Sequence, residues 1–61
     1  METYKNLAGT VLEVHQKGKG FKTVRHYKAT NHSPAESVEK HHRTYSAVEK
    51  IIKAQSFERL D

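Results

Sequence analysis

A chain of 61 residues with no cysteine and a net charge of +4 is expected to form one small domain. A domain of that size buries only about 60% of the surface that its unfolded chain exposes, so its core is thin. Without cysteine, neither disulfide bonds nor a thiolate zinc site can add stability. We therefore expect two copies to complete each other's core as a homodimer.

The N-terminal sequence lacks the basic start and the following apolar run that a secretory signal peptide needs. No later segment approaches the roughly 18 apolar residues of a membrane-spanning helix. Together with the lack of cysteine, this pattern predicts a cytoplasmic protein with no membrane partner.

The excess positive charge lies in one part of the chain, which we call the basic segment. Residues 1–13 carry a net charge of −1 and residues 36–61 a net charge of 0, whereas residues 14–35 carry +5 and no carboxylate. The cations of the basic segment are Lys17, Lys19, Lys22, Arg25 and Lys28. Such a local excess indicates a surface that meets a negatively charged partner.

The first predicted element is an antiparallel β-hairpin over residues 10–30. Residues 10–15 and 21–30 are rich in β-branched and aromatic side chains, which favour strands. Gly18 and Gly20 lie between these segments and can adopt the positive φ angles of a tight turn.

The length of the turn decides the register of this hairpin. A loop of two or four residues places Val14 opposite Thr23, whereas a loop of three residues places Val14 opposite Val24 and Leu12 opposite His26. We prefer the three-residue loop, because it gathers the apolar side chains on one face.

Two helix start signals follow, at residues 33–36 and 46–49, and each is a serine with a glutamate three residues later. One interpretation is a single helix over residues 34–56. The other is a short third strand over residues 37–43, with only residue 46 onward helical. We prefer the single helix, because no glycine interrupts the segment.

The fold class is therefore α+β, an antiparallel β-hairpin packed on an amphipathic C-terminal α-helix. The predicted core residues are Leu12, Val14, Val24, Val38, Tyr45, Val48, Ile51 and Ile52. Phe57 points away from Val48 at about 100° per residue, so its ring is expected to fold back or to meet a partner. Tyr45 and Phe57 are the candidate partner-binding residues, and the helix is the expected dimer interface.

Several kinds of chemistry do not fit the sequence. The glycines of the turn lack the spacing of a phosphate-binding loop, and the five histidines show no i, i+4 pairing on a helix. Three glutamates of the C-terminal half stand four residues before a lysine or arginine, which suits salt pairing on a solvated helix face. We predict a protein that is not an enzyme and has no metal or cofactor.

Six residues of the hairpin form a pattern that resembles the opening of a cold-shock domain: Gly9, Thr10, Val11, Lys19, Gly20 and Phe21. The likeness covers about a quarter of the chain. Thr23 stands where that family has its second stacking aromatic residue, and the sequence after the hairpin is helical in pattern. No function is carried over from that family.

The favoured function is nucleic-acid binding, in which the five cations of the basic segment contact phosphates. The hairpin could lie in the major groove of duplex DNA, or the aromatic residues among the cations could instead stack on single-stranded bases. Strand alternation places Lys22 and Lys28 on one face and Arg25 on the other, so these cations do not form a single surface. The alternative function is that of a small inhibitor or adaptor, which applies the basic hairpin to an acidic protein surface or the helix to an apolar groove. A third interpretation is that the lysines only protect an exposed edge strand.

Overall fold

Five antiparallel strands form one sheet, and a single helix covers part of one face; the computed structural model describes residues 1–61. The elements are β1 (Glu2–Lys5), β2 (Val11–Lys17), β3 (Gly20–Tyr27), β4 (Glu36–His42), α1 (Tyr45–Ala54) and β5 (Glu58–Arg59). The strand order across the sheet is β4-β3-β2-β1-β5. The α+β fold class predicted from the sequence is confirmed.

A two-residue turn sets the register of the β2–β3 hairpin. Lys17 pairs with Gly20, which leaves Gly18 and Lys19 as the turn. Gly18 has a φ of 60° and Lys19 has no positive φ, as in a type II′ turn, which takes glycine at its first central position. The prediction of a three-residue loop is wrong, because Gly20 already belongs to the strand.

This register distributes the side chains between two faces of the sheet. Leu12 lies opposite Arg25 and Val14 opposite Thr23, on the face that α1 covers. We call the opposite side the open face, and its residues on the three strands β2, β3 and β4 are Val11, Glu13, His15, Lys22, Val24, His26, Ser37, Glu39 and His41. Val24 therefore does not join the core, contrary to the prediction.

Residues 36–42 form a strand, which corrects the prediction of one helix over residues 34–56. β4 pairs with β3 along its whole length, and this tertiary pairing overrides the weak local preference of the segment for a helix. The alternative, a strand over residues 37–43 followed by a helix, describes this segment better, although the strand lies one residue earlier and is the fourth of the sheet. The helix begins at Tyr45, where the Thr44 hydroxyl accepts a hydrogen bond from the Ala47 N–H at 3.4 Å.

Two short strands, β1 and β5, were not predicted from the sequence. β1 pairs with β2 and β5 pairs with β1, so these strands extend the sheet beyond the hairpin. Their sequences, ETYK and ER, hold one apolar residue between them. Strands this short and polar show no alternation of apolar residues, which is the signal on which sequence reasoning depends.

Five residues form the core: Tyr4, Leu12, Val14, Val48 and Phe57. Phe57 is only 6% exposed, so it does fold back and has no surface to offer a partner. The chain reverses at Ser56, which has a φ of 53°. The Phe57 N–H donates to the Ile52 carbonyl at 2.9 Å and the Ser56 N–H to the Lys53 carbonyl at 3.3 Å, which is the Schellman motif.

Glu2 joins the N-terminal strand to the helix. Its Oε1 accepts hydrogen bonds from the hydroxyls of Tyr45 at 2.5 Å and Tyr4 at 2.8 Å. These two donors, and above all Tyr45, hold the pKa of the Glu2 carboxyl below its usual value despite partial burial, and the guanidinium of Arg59 adds to the effect. The negative charge of Glu2 is thus part of the packing between β1 and α1.

Because Val48 packs in the core of its own chain, the helix uses its one fully buried position within the monomer. A dimer through the helix stays a prediction. The structure contains no helix with the length and apolar character that crossing a lipid bilayer requires.

We predict that Ser56→Gly stabilises the protein, because glycine adopts the left-handed conformation at this position without the strain that a Cβ causes. The free energy of unfolding, measured by urea titration, should rise by about 0.5 kcal/mol. Ala54→Gly, inside the last helical turn, is the matched control and should lower it by about 1 kcal/mol. A loss of stability in both variants would contradict the argument.

We predict that Glu2→Gln lowers the free energy of unfolding at pH 7 by about 1–2 kcal/mol, since two hydroxyls lose a charged acceptor. The folded-state pKa of Glu2 is lowered, so its stabilisation is present above the usual value of 4.5 and is lost as the pH falls through the folded-state value. Urea titrations should therefore show the difference between wild type and variant shrinking below pH 4.5. Glu49→Gln, on the exposed face of α1, should show no comparable convergence.

Candidate nucleic-acid interface

The structure separates the five cations that the sequence grouped in the basic segment. Lys17 and Lys19 lie exposed at the β2–β3 turn. Lys22 lies on the open face, where its ammonium group is 3.4 Å from a carboxylate oxygen of Glu39. An ion pair of this kind at the surface adds little stability. The carboxylate of Glu39 nevertheless offsets the charge of Lys22 and weakens its attraction for a phosphate.

Arg25 and Lys28 lie away from the turn. Arg25 belongs to the covered face, and its Nε is buried without a hydrogen-bond partner. Lys28 follows the last residue of β3, with its aliphatic stem against Gly9. Since a strand rises about 3.3 Å per residue, the length of β3 holds Lys28 roughly 25 Å from the turn.

The end of β4 brings three further basic side chains to the turn. β4 runs antiparallel to β3, so His41 and His42 lie beside Lys22 and Phe21 at the start of β3. The β2–β3 turn and the end of β4 form a cleft of about 490 Å³, which we call the turn-end cleft. Its lining residues are Lys19, Gly20, His41, His42 and Arg43. No carboxylate is among them.

Gly20 shapes the floor of the turn-end cleft. A Cβ at this position would lie 2.8 Å from the carbonyl oxygen of His42, closer than atoms in contact can approach. The His42 ring points inward, with its Nε2 at 3.0 Å from the hydroxyl of Thr23, which is only 1% exposed. The two strands are therefore held close together beneath the cleft.

The remaining side chains of the cleft reach solvent. Lys19 and Arg43 are exposed, and His41 is exposed with its Nε2 at 3.9 Å from Glu39. The ammonium and guanidinium groups can each neutralise a phosphate, and a guanidinium can grip it through two hydrogen bonds. The imidazole can donate a further hydrogen bond.

His41, His42 and Arg43 were not predicted as members of this site, because a helix was predicted over that segment. The alternative prediction of a third strand in this segment would have placed these residues at the turn. A strand that returns antiparallel to β3 must end where β3 begins, and that point is the basic turn.

The two aromatic residues predicted to bind a partner are engaged inside the molecule. The Tyr45 ring is half-buried and meets the Phe21 ring edge to face, with centroids 5.3 Å apart. Its hydroxyl is bonded to Glu2. Phe57 lies in the core.

A second cleft, of about 470 Å³, lies at the other end of the sheet. It is lined by Lys5, Asn6, Leu7, Ser56, Glu58, Arg59 and Leu60. This lining mixes both signs of charge with exposed leucines, so it is not suited to a phosphate chain. No three side chains of the metal-binding types are placed to share one ion.

Comparison with known protein families, with curated proteins and with solved structures finds no match for this chain.

We predict that Gly20→Ala destabilises the protein. Gly20 has no positive φ, so alanine suits its backbone, and any loss reports the contact between the new Cβ and the His42 carbonyl. Overpacking of this kind costs about 1–3 kcal/mol, measured as a lower free energy of unfolding in urea. A variant as stable as wild type would show that the strands separate without cost and that the cleft floor is not rigid.

Proposed function

We propose that this protein binds nucleic acid through phosphate contacts at the turn-end cleft. The observation that carries the proposal is the lining of the cleft, which presents Lys19, Arg43 and the imidazole of His41 and includes no carboxylate. Lys17 stands exposed on the same turn and extends the basic surface. Of the cations that the sequence proposed, Lys17 and Lys19 keep this role.

The cations of this protein differ in whether a carboxylate lies close by. Lys22 is close to Glu39, and Arg59 is close to Glu2 and Asp61. Lys17, Lys19 and Arg43 have no carboxylate within 4.0 Å, so no ion pair competes with a phosphate for these three cations. α1 begins just after Arg43 with no acidic residue in its first turn, which leaves the positive end of the helix dipole uncompensated.

Binding of this kind is largely independent of base sequence. Each neutralised phosphate releases condensed counterions, and that release supplies most of the free energy of non-specific binding. The role needs neither a catalytic group nor a cofactor, and it fits the cytoplasmic location expected from the sequence.

Binding of an acidic protein surface by the same cleft is the alternative function. The form of that alternative in which the helix and Phe57 enter an apolar groove loses support, because Phe57 is buried. If the protein shows no detectable binding to duplex or single-stranded oligonucleotides at about 50 mM salt, the nucleic-acid proposal is overturned and a protein partner is favoured.

We predict a linear fall of log affinity with log salt concentration. Three phosphate contacts, from Lys17, Lys19 and Arg43, give a slope of roughly −3 on duplex DNA. Fluorescence anisotropy with labelled oligonucleotides over a salt series measures this slope. Lys19→Gln and Arg43→Gln should each flatten it by about one unit.

Two further variants keep this test specific to the cleft. Lys28→Gln removes the same charge at the far end of β3 and should leave the slope unchanged. Glu39→Gln frees Lys22 and His41 from their carboxylate, so it should strengthen binding at low salt. Equal effects of Lys19→Gln and Lys28→Gln would show that only net charge matters and that the turn-end cleft is not the binding site.

A further inference from the structure

A row of three hydrogen-bonded side chains crosses the open face, and the proposed binding function makes no use of it. Ser37 on β4 lies opposite His26 on β3, and the Ser37 Oγ is 2.9 Å from the His26 Nδ1. The other ring nitrogen, Nε2, is 3.1 Å from Oε2 of Glu13 on β2. A hydroxyl, an imidazole and a carboxylate thus stand in sequence.

The carboxylate decides which nitrogen of His26 carries the proton. An ionised carboxylate can only accept hydrogen bonds, so the neutral ring carries its proton on Nε2 and leaves Nδ1 as an acceptor. The Ser37 hydroxyl must then donate to Nδ1. The pKa of Glu13 is lowered by hydrogen bonds from His15 and His26, so this carboxyl is ionised at neutral pH.

The position of Ser37 at the sheet edge leaves its backbone amide free. In the two-residue hairpin, Lys17 and Gly20 are a hydrogen-bonded pair, so alternate residues from Gly20 onward direct their backbone groups to β2. Thus His26 and Ser37 are a non-hydrogen-bonded pair between β3 and β4, with side chains close together. β4 has no strand on its other side, and the Ser37 N–H points there.

The surroundings of this row suit a small acyl group. Val11 lies directly opposite His26, and Val24 lies opposite Glu13, both half-buried on the open face. Ser37 is itself exposed, and the side chain of His26 is 42% exposed. The aliphatic chain of a small acyl group can pack against Val11 and Val24 while its carbonyl carbon lies next to the Ser37 hydroxyl.

We propose that Ser37 is a nucleophile that accepts acyl groups from small activated carboxylic esters, with His26 as its general base and Glu13 as the positioning residue. The Ser37 Oγ attacks the carbonyl carbon while its proton passes to His26 Nδ1. The carbonyl π electrons move to oxygen, beside the free Ser37 N–H. When these electrons re-form the carbonyl double bond, the bond between the carbonyl carbon and the leaving oxygen breaks. The leaving alcohol or phenol takes the proton from His26.

Water can complete the cycle by the same chemistry. His26 Nδ1 accepts a proton from a water molecule that attacks the acyl-serine, the ester bond breaks, and Ser37 Oγ recovers the proton as the carboxylic acid leaves. This reactivity is separate from nucleic-acid binding, because none of the three residues lines the turn-end cleft. Failure of either proposal leaves the other standing.

A fluorophosphonate tests the nucleophile without the complication of turnover. Ser37 Oγ would form a bond to phosphorus, the phosphorus–fluorine bond would break, and the fluoride and the hydroxyl proton would leave. Mass spectrometry of peptides from the treated full chain gives the occupancy at each serine. We expect Ser37 to be labelled at least about tenfold faster than Ser33, Ser46 and Ser56, a modest effect for general-base assistance.

Variants separate this reactivity from simple exposure. His26→Gln should reduce the rate of Ser37 labelling by about tenfold or more, and Glu13→Gln should reduce it with the urea unfolding midpoint unchanged. His32→Gln, in the exposed loop before β4, is the matched control and should keep the wild-type rate.

The same labelling rates can overturn the proposal. Three outcomes would each show that the row is only a structural chain of hydrogen bonds. They are equal labelling of all four serines, no labelling of Ser37, and a Ser37 labelling rate that His26→Gln does not change. If Glu13→Gln lowers the rate only in step with a lower unfolding midpoint, the positioning role of Glu13 is overturned.

Discussion

The register of the β2–β3 hairpin is the constraint on which the rest of this structure depends. Gly18 supplies the positive φ that a type II′ turn needs at its first central position, and the pairing of Lys17 with Gly20 then fixes every opposite pair along both strands. Leu12 and Val14 face the helix because of that register, and Glu13 and His26 face the open side. A shift by one residue on β2 would exchange these sets, since the side-chain period of a strand is two.

The elements that the sequence predicted are those with strong local signals. The hairpin was predicted from β-branched residues around two glycines, and the helix from its apolar spacing, although Thr44 caps it two residues before the predicted serine. β1 and β5 lacked such signals, because their stability comes from pairing with each other and with β2. The segment over residues 36–42 was misjudged for the same reason. Its local propensity favoured a helix, and the partner strand that decided the matter lies outside any local window.

The residues of the candidate site show the same difference between local signals and cross-strand pairing. Charge placement alone pointed to the turn, and Lys17 and Lys19 are indeed exposed there. It could not show that Glu39 lies beside Lys22, or that Arg25 lies on the face of the sheet that carries the helix, because both facts follow from cross-strand register. Arg43 joined the site through the antiparallel return of β4. The Ser37–His26–Glu13 row likewise draws one residue from each of three strands, so no spacing along the sequence reveals it.

β4 forms one edge of the sheet, with β3 on one side and water on the other. The hydrogen-bond alternation that frees the Ser37 N–H also turns the amides of Glu39 and His41 outward, while those of Val38 and Lys40 bond to β3. Neighbouring residues of one strand therefore differ in protection, and their amide protons should exchange with solvent at alternating slow and fast rates. The charges of Glu39 and Lys40 discourage another chain from adding there. A partner that did add as a sixth strand would remove the alternation, so the exchange pattern of this single strand reports whether its edge is occupied.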